Sequence, residues 1–523
     1  MSSEKFDILS IGNIGVLQDF IYEDNEDIIP EFNGIYHLDE AVELINKHVK
    51  NGSEMVIFAD VDCDGMESTY VANKVLESAL GRDKVYCSIN KERKHGITKQ
   101  HIENLNKFGV KLLIIVDSSS EAVDIIKEFN GDVVVLDHHE VDLPKEVLKG
   151  NTVGGQYVVA NNMVSGAEGE DETTRDMSGC MVVYRVMKEL VYKYKILGEG
   201  GERKFEEMQL EHCVGLTLFT DVIPLRNKRN QHFISKILNN HHLEDGLKRM
   251  LGSLDIMFLD KTKINFSLAP IINSAVRCGR SLDALNIIMD TPERLKELKE
   301  CRELQRQVIE KVMDGSELKY ENYVVRDITN ENLGEAYNGL LASKLMARHC
   351  KCTFVYSKEI NEDGRVVCKG SFRGTDPIIN YRALFMRHGA IAKGHKSAFG
   401  LTIPEYLLHK VMDEVCSTPV ESSNNYISYG DAQGGMYHID DLKEFKRSRN
   451  LIHLAHINSR STGTEEINIV YSGEIELIRE EEKYRIYNVG GLECLAFEEI
   501  KSNKVSIYVE FCNEVKCYVN NLG

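Results

Sequence analysis

The stretch VIFADVDCDGMEST, Val56–Thr69, ends an apolar run in three aspartates at every second position: Asp60, Asp62 and Asp64. Two more apolar runs end in acidic or imidazole-bearing residues, and a later helix-rich stretch supplies another acid. Asp117 closes IIVDSSS, Asp137-His138-His139 closes VVVLDHHE, and Asp221 lies in LFTDVIPL. Carboxylates crowded this closely repel one another unless a cation sits among them. Hard divalent cations take oxygen ligands, and imidazole moves the preference toward manganese, iron or zinc. Four or more acids with a histidine exceed the needs of one ion. Two ions sharing a bridging carboxylate would use them all, and ions about 3.5–4 Å apart are a recurrent device for in-line phosphoester hydrolysis.

Each piece alone has a plainer meaning. DVDCDG resembles the start of a calcium loop, but the glutamate expected six residues after Gly65 is replaced by Val71, and the segment follows a strand. Asp-His-His alone fits a surface turn, and Asp117 alone fits a helix N-cap. Capping does not account for all of them recurring where successive apolar runs end.

The elements that must position these residues are legible. Strands are expected at Met55–Asp60, Lys84–Ile89, Lys111–Asp117 and Asp132–Asp137, with the helix-length stretches GMESTYVANKVLESALG, TKQHIENLNKFG and SEAVDIIKEFNG between them. Apolar strands alternating with helices imply a parallel sheet covered on both faces, whose ligands bind beyond the carboxyl ends of the strands. Residues 177–250 are mostly helical. Thr291–Gly315 opens with Thr-Pro, ends in Gly and is dense in helix formers, which predicts one long, mostly solvated helix bridging two bodies.

The fold class is therefore α/β. A metal-bearing domain is expected over residues 1–290, a connecting helix over 291–319 and a second, smaller α/β domain over 320–415. A linker over 416–450 precedes a mostly β module over 451–523, in which short runs rich in β-branched and aromatic residues recur.

Charge and composition exclude some classes. Against 63 Lys and Arg stand 82 Asp and Glu, a net −19, so nucleic acid is not bound by bulk charge, although a local basic groove is compatible with it. No apolar run approaches the roughly 18–20 residues of a membrane span. The opening MSSEKFDILSIG lacks the basic-then-apolar pattern of a secretory leader, so a cytoplasmic location is expected, the host's cytoplasm if the source is viral. The 13 cysteines include no C-x-x-C pair, which favours reduced thiols over zinc.

Taken together, ADVDCDG, IIVDSSS, VLDHHE, MSGCMVVYRV, LFTDVIPLRNKRN, LAPIINSAVRCGRSLDAL and KGHKSAFG resemble the DHH phosphoesterase superfamily, and within it the RecJ-like single-strand exonucleases, in the family's order over about residues 50–404. The resemblance implies Asp60 and Asp62 as ligands of one metal, Asp64, His138 and Asp221 as ligands of the other, and Asp117 as the bridge. It implies His139 at the scissile phosphate, with Asp137 orienting the histidines. Asn273 and Arg277 fall where the family holds substrate phosphate. Arg93 in KERKHGIT, Arg373 in GSFRG, and Gly394 and His395 in KGHKSAFG are the implied substrate-binding residues, arginine being suited to two-point phosphate contact.

Three departures stand out. Ser118-Ser119 replaces the usual Cys-Gly after the third-motif aspartate. Lys393 replaces one signature glycine. SAVRCGR leaves Arg277 and Arg280 competing for one role, which the spacing to Asn273 assigns to Arg277.

The implied activity is a two-metal phosphodiesterase using manganese in preference to magnesium, and degrading single-stranded DNA 5′ to 3′. The alternatives are a short-RNA or cyclic-dinucleotide phosphodiesterase, or a non-catalytic replication scaffold. All six implied ligands are present, which disfavours the scaffold. A monomer is expected, with a helicase or a single-strand-binding protein as the conceivable protein partner and no membrane. The β module would fit an OB-like strand binder, with Tyr471, Tyr484, Tyr487 and Tyr508 as candidate stacking residues, each of which would otherwise serve packing.

Overall fold

The computed structural model describes residues 33–521 apart from 92–94, 172, 226, 239–242, 244, 258, 290–294, 314, 332, 350, 362, 376–378, 395, 418–425, 430–436, 440–453, 456–457, 460–467, 482–483, 498 and 513. A first sheet comprises β1 (Met55–Ala59), β2 (Val85–Ile89), β3 (Leu112–Val116), β4 (Asp132–Asp137), β5 (Lys149–Asn151) and β6 (Gln156–Asn161), in the order β2-β1-β3-β4-β6-β5. All pairings are parallel except that of β5 with β6.

Side-chain alternation covers both faces. Ile57, Ile114 and Val134 enter a core shared with the helices Leu38–Lys50, Cys63–Leu80 and Gly179–Tyr192. Phe58, Ile115 and Val135 enter another with Ile102 and Phe129. Burial on both sides is why these strands read as unbroken apolar runs.

The four expected strands form within a residue of their expected ends, and β5 and β6 extend the sheet beyond them. The expected helix after Ser120 shrinks to one turn, Val123–Ile126. β4 begins at Asp132, so the residues after Ile126 are taken up by the connection back to the sheet.

The long helix forms over Leu295–Met313. It is less solvated than expected. Leu298, Cys301, Gln305 and Ile309 make a buried stripe at three- and four-residue spacing, while the opposite face is exposed. Arg302 Nη1 donates to the Ser267 carbonyl at 3.2 Å, fixing this helix beside the helix Ala269–Arg277.

A second sheet follows: β7 (Leu318–Lys319), β8 (Tyr323–Asp327), β9 (Cys352–Ile360), β10 (Val366–Arg373), β11 (Ile391–Gly394) and β12 (Ala398–Pro404), in the order β11-β12-β10-β9-β8-β7. Only β8 and β9 pair in parallel. A third sheet has eight strands between Tyr426 and Asn521. Two of them, Tyr426–Tyr429 and Tyr437–Ile439, lie in the stretch read as a linker. Thr262 Oγ1 donates to Glu510 Oε1 at 2.8 Å, tying the third sheet to the helices of the first body. Among the described residues no helix is long and apolar enough to cross a membrane.

Arg382 joins the first two bodies. Its Nη2 donates to Glu140 Oε2, and its Nη1 lies 3.6 Å from Asp142 Oδ2. Both acids immediately follow the Asp-His-His motif, and the Arg382 backbone N–H donates to the Lys396 carbonyl at 3.0 Å. Arg382 is nearly buried while Glu140 keeps some contact with water, so loss of the arginine removes a charge-assisted hydrogen bond and the packing of the side chain. Arg382→Ala is expected to lower stability by about 2 kcal/mol, read as a lower urea midpoint. Arg382→Lys should recover only part, because one ammonium cannot meet both acids in the guanidinium's geometry.

Candidate metal centre

Level strand ends bring the sequence-predicted acids to one edge. Asp60 follows β1, Asp117 follows β3, and Asp137 ends β4 ahead of His138 and His139. Asp62 is the N-cap of the helix Cys63–Leu80, its Oδ1 accepting from the Gly65 N–H at 3.1 Å. Asp64 lies in that helix's first turn. Asp221 caps the C-terminus of the helix Glu211–Thr220.

Asp64, Asp117, His138 and Asp221 offer ligand atoms that all lie within 4.8 Å of one another, and Asp60, Asp62 and His95 do the same. The implied ligands therefore fall into two adjoining groups. Asp117 is in the group with Asp64, His138 and Asp221. It also feels the charges of Asp62 and Asp60, as Asp221 does.

The polar contacts show what this donor set suits. His138 Nδ1 sits 3.0 Å from the Met177 carbonyl, which can only accept, so Nδ1 carries the proton. Burial and the neighbouring His139 hold the His138 pKa below its usual value, so the ring is neutral. Its Nε2 lone pair then faces Asp117 Oδ1 at 3.2 Å, Asp221 Oδ2 at 3.4 Å and Asp64 Oδ2 at 3.6 Å. A lone pair aimed at three carboxylates is repulsive without a cation in the middle. Neither oxygen of Asp117 has a hydrogen-bond partner, although the residue is 1% exposed. Burial, then Asp64, Asp62 and Asp221, push its pKa well above the ordinary carboxylate range. Burial and Asp64 do the same to Asp221. The donor set and its unsatisfied charge fit divalent ions.

Other groups hold the ligands in place. Asp64 accepts from the Gly179 and Cys180 N–H groups, both at 2.7 Å, at the start of the helix Gly179–Tyr192, where the helix dipole favours a negative charge. Gly179 permits this approach, since a Cβ there would stand 2.5 Å from Asp117 Oδ1. Asp137 is spent on scaffolding. Its Oδ1 accepts from the His138 and His139 N–H groups at 2.8 and 3.2 Å and meets His139 Nδ1 at 2.8 Å, while Oδ2 accepts from the Ser120 N–H at 3.1 Å. Burial opposes charge on His139, but Asp137, through charge and hydrogen bond, outweighs it and holds the ring's pKa up at about 9.

The other expected site residues lie on different elements. Asn273 and Arg277 stand one turn apart on the helix Ala269–Arg277, both half-buried, with Arg277 Nη1 donating to Gln305 Oε1 at 2.7 Å. Arg373 ends β10, where its Nε donates to Ser343 Oγ at 3.1 Å and its Nη1 to the Phe372 carbonyl at 2.7 Å. Gly394 ends β11 with φ 132°. Arg93 and His395 lie outside the described residues. Of the tyrosines, Tyr487 is buried, its hydroxyl accepting from the Ile500 N–H at 3.1 Å, and Tyr508 lies under Lys261. These two serve packing and sheet docking. Tyr484 lies just before the strand Arg485–Val489, and the Tyr471 side chain lies outside the described set.

Sequence reasoning overlooked His95, which meets Asp60 Oδ2 at 2.6 Å through Nδ1. The signal was its place in KERKHGIT, where attention went to Arg93. It also gave no role to the Gly179-Cys180 backbone, although MSGCMVVYRV was among the matched motifs.

Residues 54–213 match the DHH family, N-terminal domain. The chain is 21% identical over 387 residues to the Bacillus subtilis protein named single-stranded-DNA-specific exonuclease RecJ, covering 70% of this chain and 45% of that one. It is 27% identical over 250 residues to the Dickeya dadantii protein of the same name, covering 46% and 41%. The chain thus spans less than half the length of these relatives in the matched regions. Among solved structures it is similar to Thermus thermophilus RecJ in complex with Mn2+, with a TM-score of 0.66 at 16% identity, covering 99% of this chain and 77% of that one. At this identity the likeness establishes the fold.

Proposed function

We propose that this chain, which carries a DHH-family N-terminal domain, is a two-metal-dependent phosphodiesterase that digests single-stranded DNA from the 5′ end, with manganese preferred over magnesium. The observation that carries the reading is Asp117: a buried carboxylate without a hydrogen-bond donor, among further acids and a neutral imidazole lone pair. Relatives named as single-stranded-DNA-specific exonucleases support the choice of substrate.

Asp60 and Asp62 would hold one ion and Asp64, His138 and Asp221 the other, with Asp117 shared. When bound, such ions activate water near neutral pH and neutralise charge on the phosphate oxygens. The chain's own residues do the rest. The Gly179 and Cys180 N–H groups fix Asp64 so that it needs no reorganisation on binding. Asp137 orients His139 and keeps it protonated, so that its Nε2–H is a charged donor for a phosphate oxygen. Asn273, Arg277, Arg373, Gly394, His395 and Arg93 would grip the strand's phosphates. Domain limits near residues 290, 320 and 415 would leave the strand to pass between the first two bodies.

The test is an assay with 5′- and 3′-labelled DNA and RNA of several lengths, in manganese, in magnesium and with a chelator. Single-stranded DNA should release the 5′ label early as a mononucleotide, and chelation should stop turnover. Cleavage restricted to the shortest oligonucleotides would overturn the polymer reading in favour of an oligonucleotide phosphodiesterase. Turnover that persists in chelator would overturn the metal reading itself.

Metal should also appear in the stability of the protein. Manganese at about 100 times its dissociation constant is expected to add about 2.7 kcal/mol to the free energy of unfolding. A thermal melt with and without the ion measures it.

A further inference from the structure

The loop ahead of the helix Lys99–Phe108 is built into the metal centre. Asp60 is 1% exposed, and this loop engages both of its oxygens: His95 Nδ1 lies 2.6 Å from Oδ2, and the Gly96 N–H donates to Oδ1 at 3.1 Å. The loop is itself latched at two points. Asn90 Nδ2 donates to the Gly96 carbonyl at 2.9 Å, and the Ile97 N–H donates to Ser119 Oγ at 3.0 Å.

Ser119 holds a conformation that suits glycine, φ 75°, two residues after Asp117 at φ 59°. A side chain in the left-handed region is strained. Here the side chain has a use, because its hydroxyl is what receives the loop. Gly96, at φ 77°, fits the same junction, where an added Cβ would stand 3.0 Å from Ser119 Oγ. Serine at 119 and histidine at 95 therefore meet through one short segment.

We propose that His95 is a nitrogen ligand of the ion held by Asp60 and Asp62, and that Ser119 is the positioning residue for the loop that presents it. The proposal rests on the two-metal reading above and adds a ligand that the motif order does not supply. His95, Asp60 and Asp62 offer ligand atoms mutually within 4.8 Å. The His95 side chain is 55% exposed, which is unlike a histidine kept for packing and suits a ligand at the mouth of an open site. Asp117, whose two buried oxygens have no hydrogen-bond partner, feels the charges of Asp62 and Asp60. Two carboxylates and an imidazole beside that shared carboxylate make a mixed oxygen and nitrogen set suited to manganese. A pure ion pair between His95 and Asp60 is the competing role.

The test is manganese binding by the full, metal-stripped chain, followed by calorimetry and by the nitrogen modulation of the bound Mn2+ in pulsed electron paramagnetic resonance. The parent should show two binding events, with imidazole nitrogen coupled to the ions. His95→Gln keeps an amide to donate to Asp60 but offers no imidazole. It should weaken one event by about 100-fold and remove one nitrogen coupling, leaving the other event intact. Ser119→Gly should weaken the same event by about 10-fold while keeping the coupling. His138→Ala should retain a nitrogen coupling from His95. If His95→Gln binds two ions with parental affinity and unchanged nitrogen modulation, the inference is overturned and the two-metal reading stands. A parent chain that takes up no manganese overturns both.

Discussion

An Asp117→Ala variant is expected to fold, to gain stability without metal, and to lose cleavage by roughly 10³-fold or more, about 4 kcal/mol in the barrier. The loss follows from position, since Asp117 is the proposed shared ligand and feels acids of both ligand groups. The gain in stability follows from burial without a partner. Its folded pKa is pushed well above the ordinary carboxylate range by burial and by Asp64, Asp62 and Asp221. An acid whose pKa rises on folding contributes stability that is complete below its unfolded value, roughly 4, and is lost as pH rises through the folded value. At neutral pH the metal-free parent therefore carries a penalty that alanine removes. Urea unfolding in chelator at pH 5 and pH 8 checks the sign: the variant's advantage should grow with pH. In saturating manganese the order should reverse, because only the parent can use the shared ligand. Cleavage within ten-fold of the parent would remove Asp117 from the centre of the mechanism.

His139→Gln is expected to slow turnover by about 10²-fold and to change the shape of the pH profile. Asp137 holds the His139 ring protonated up to about 9 against the opposing effect of burial. The parent's rate should therefore fall at alkaline pH, as the charged donor is lost. Glutamine has no proton to lose in this range, so the variant's rate should be slow and flat from pH 7 to 10. Stability follows the same sign. A histidine whose pKa is raised on folding contributes stability that is fully present below about 6.5 and lost as pH climbs through the folded value. The parent's melting temperature should accordingly drop between about pH 7 and 9.5 by more than the variant's. An alkaline limb that survives in His139→Gln would assign it to another group.

The two expectations differ in how far the sequence alone supports them. Asp117, His138 and His139 were legible because each sits just past an apolar run, and the strands of a parallel sheet end on one edge. The short turn at Val123–Ile126 was not legible, since SEAVDIIKEFNG has good helix formers and the residues after the early exit are taken up by the connection to β4. The buried stripe of Leu295–Met313 was misjudged for a similar reason. Its dense charges mark a solvated face but do not report what the other face meets. The role of Ser119 was half visible. Serine in place of glycine marked an altered turn, but not the hydroxyl that receives Ile97.

What the sequence by itself determined is a set of acids and histidines gathered mostly where strands end, of a composition that suits divalent ions, on an α/β scaffold. Chain order alone carries that information, because apolar periodicity sets the sheet and the sheet sets where its ends lie. Only the tertiary structure decided how the ligands are held. Asp64 takes its hydrogen bonds from Gly179 and Cys180, 115 and 116 residues away, and Asp60 takes its own from His95 and Gly96, 35 and 36 residues away. Such contacts follow no spacing rule, since they form between segments brought together by packing of the whole domain.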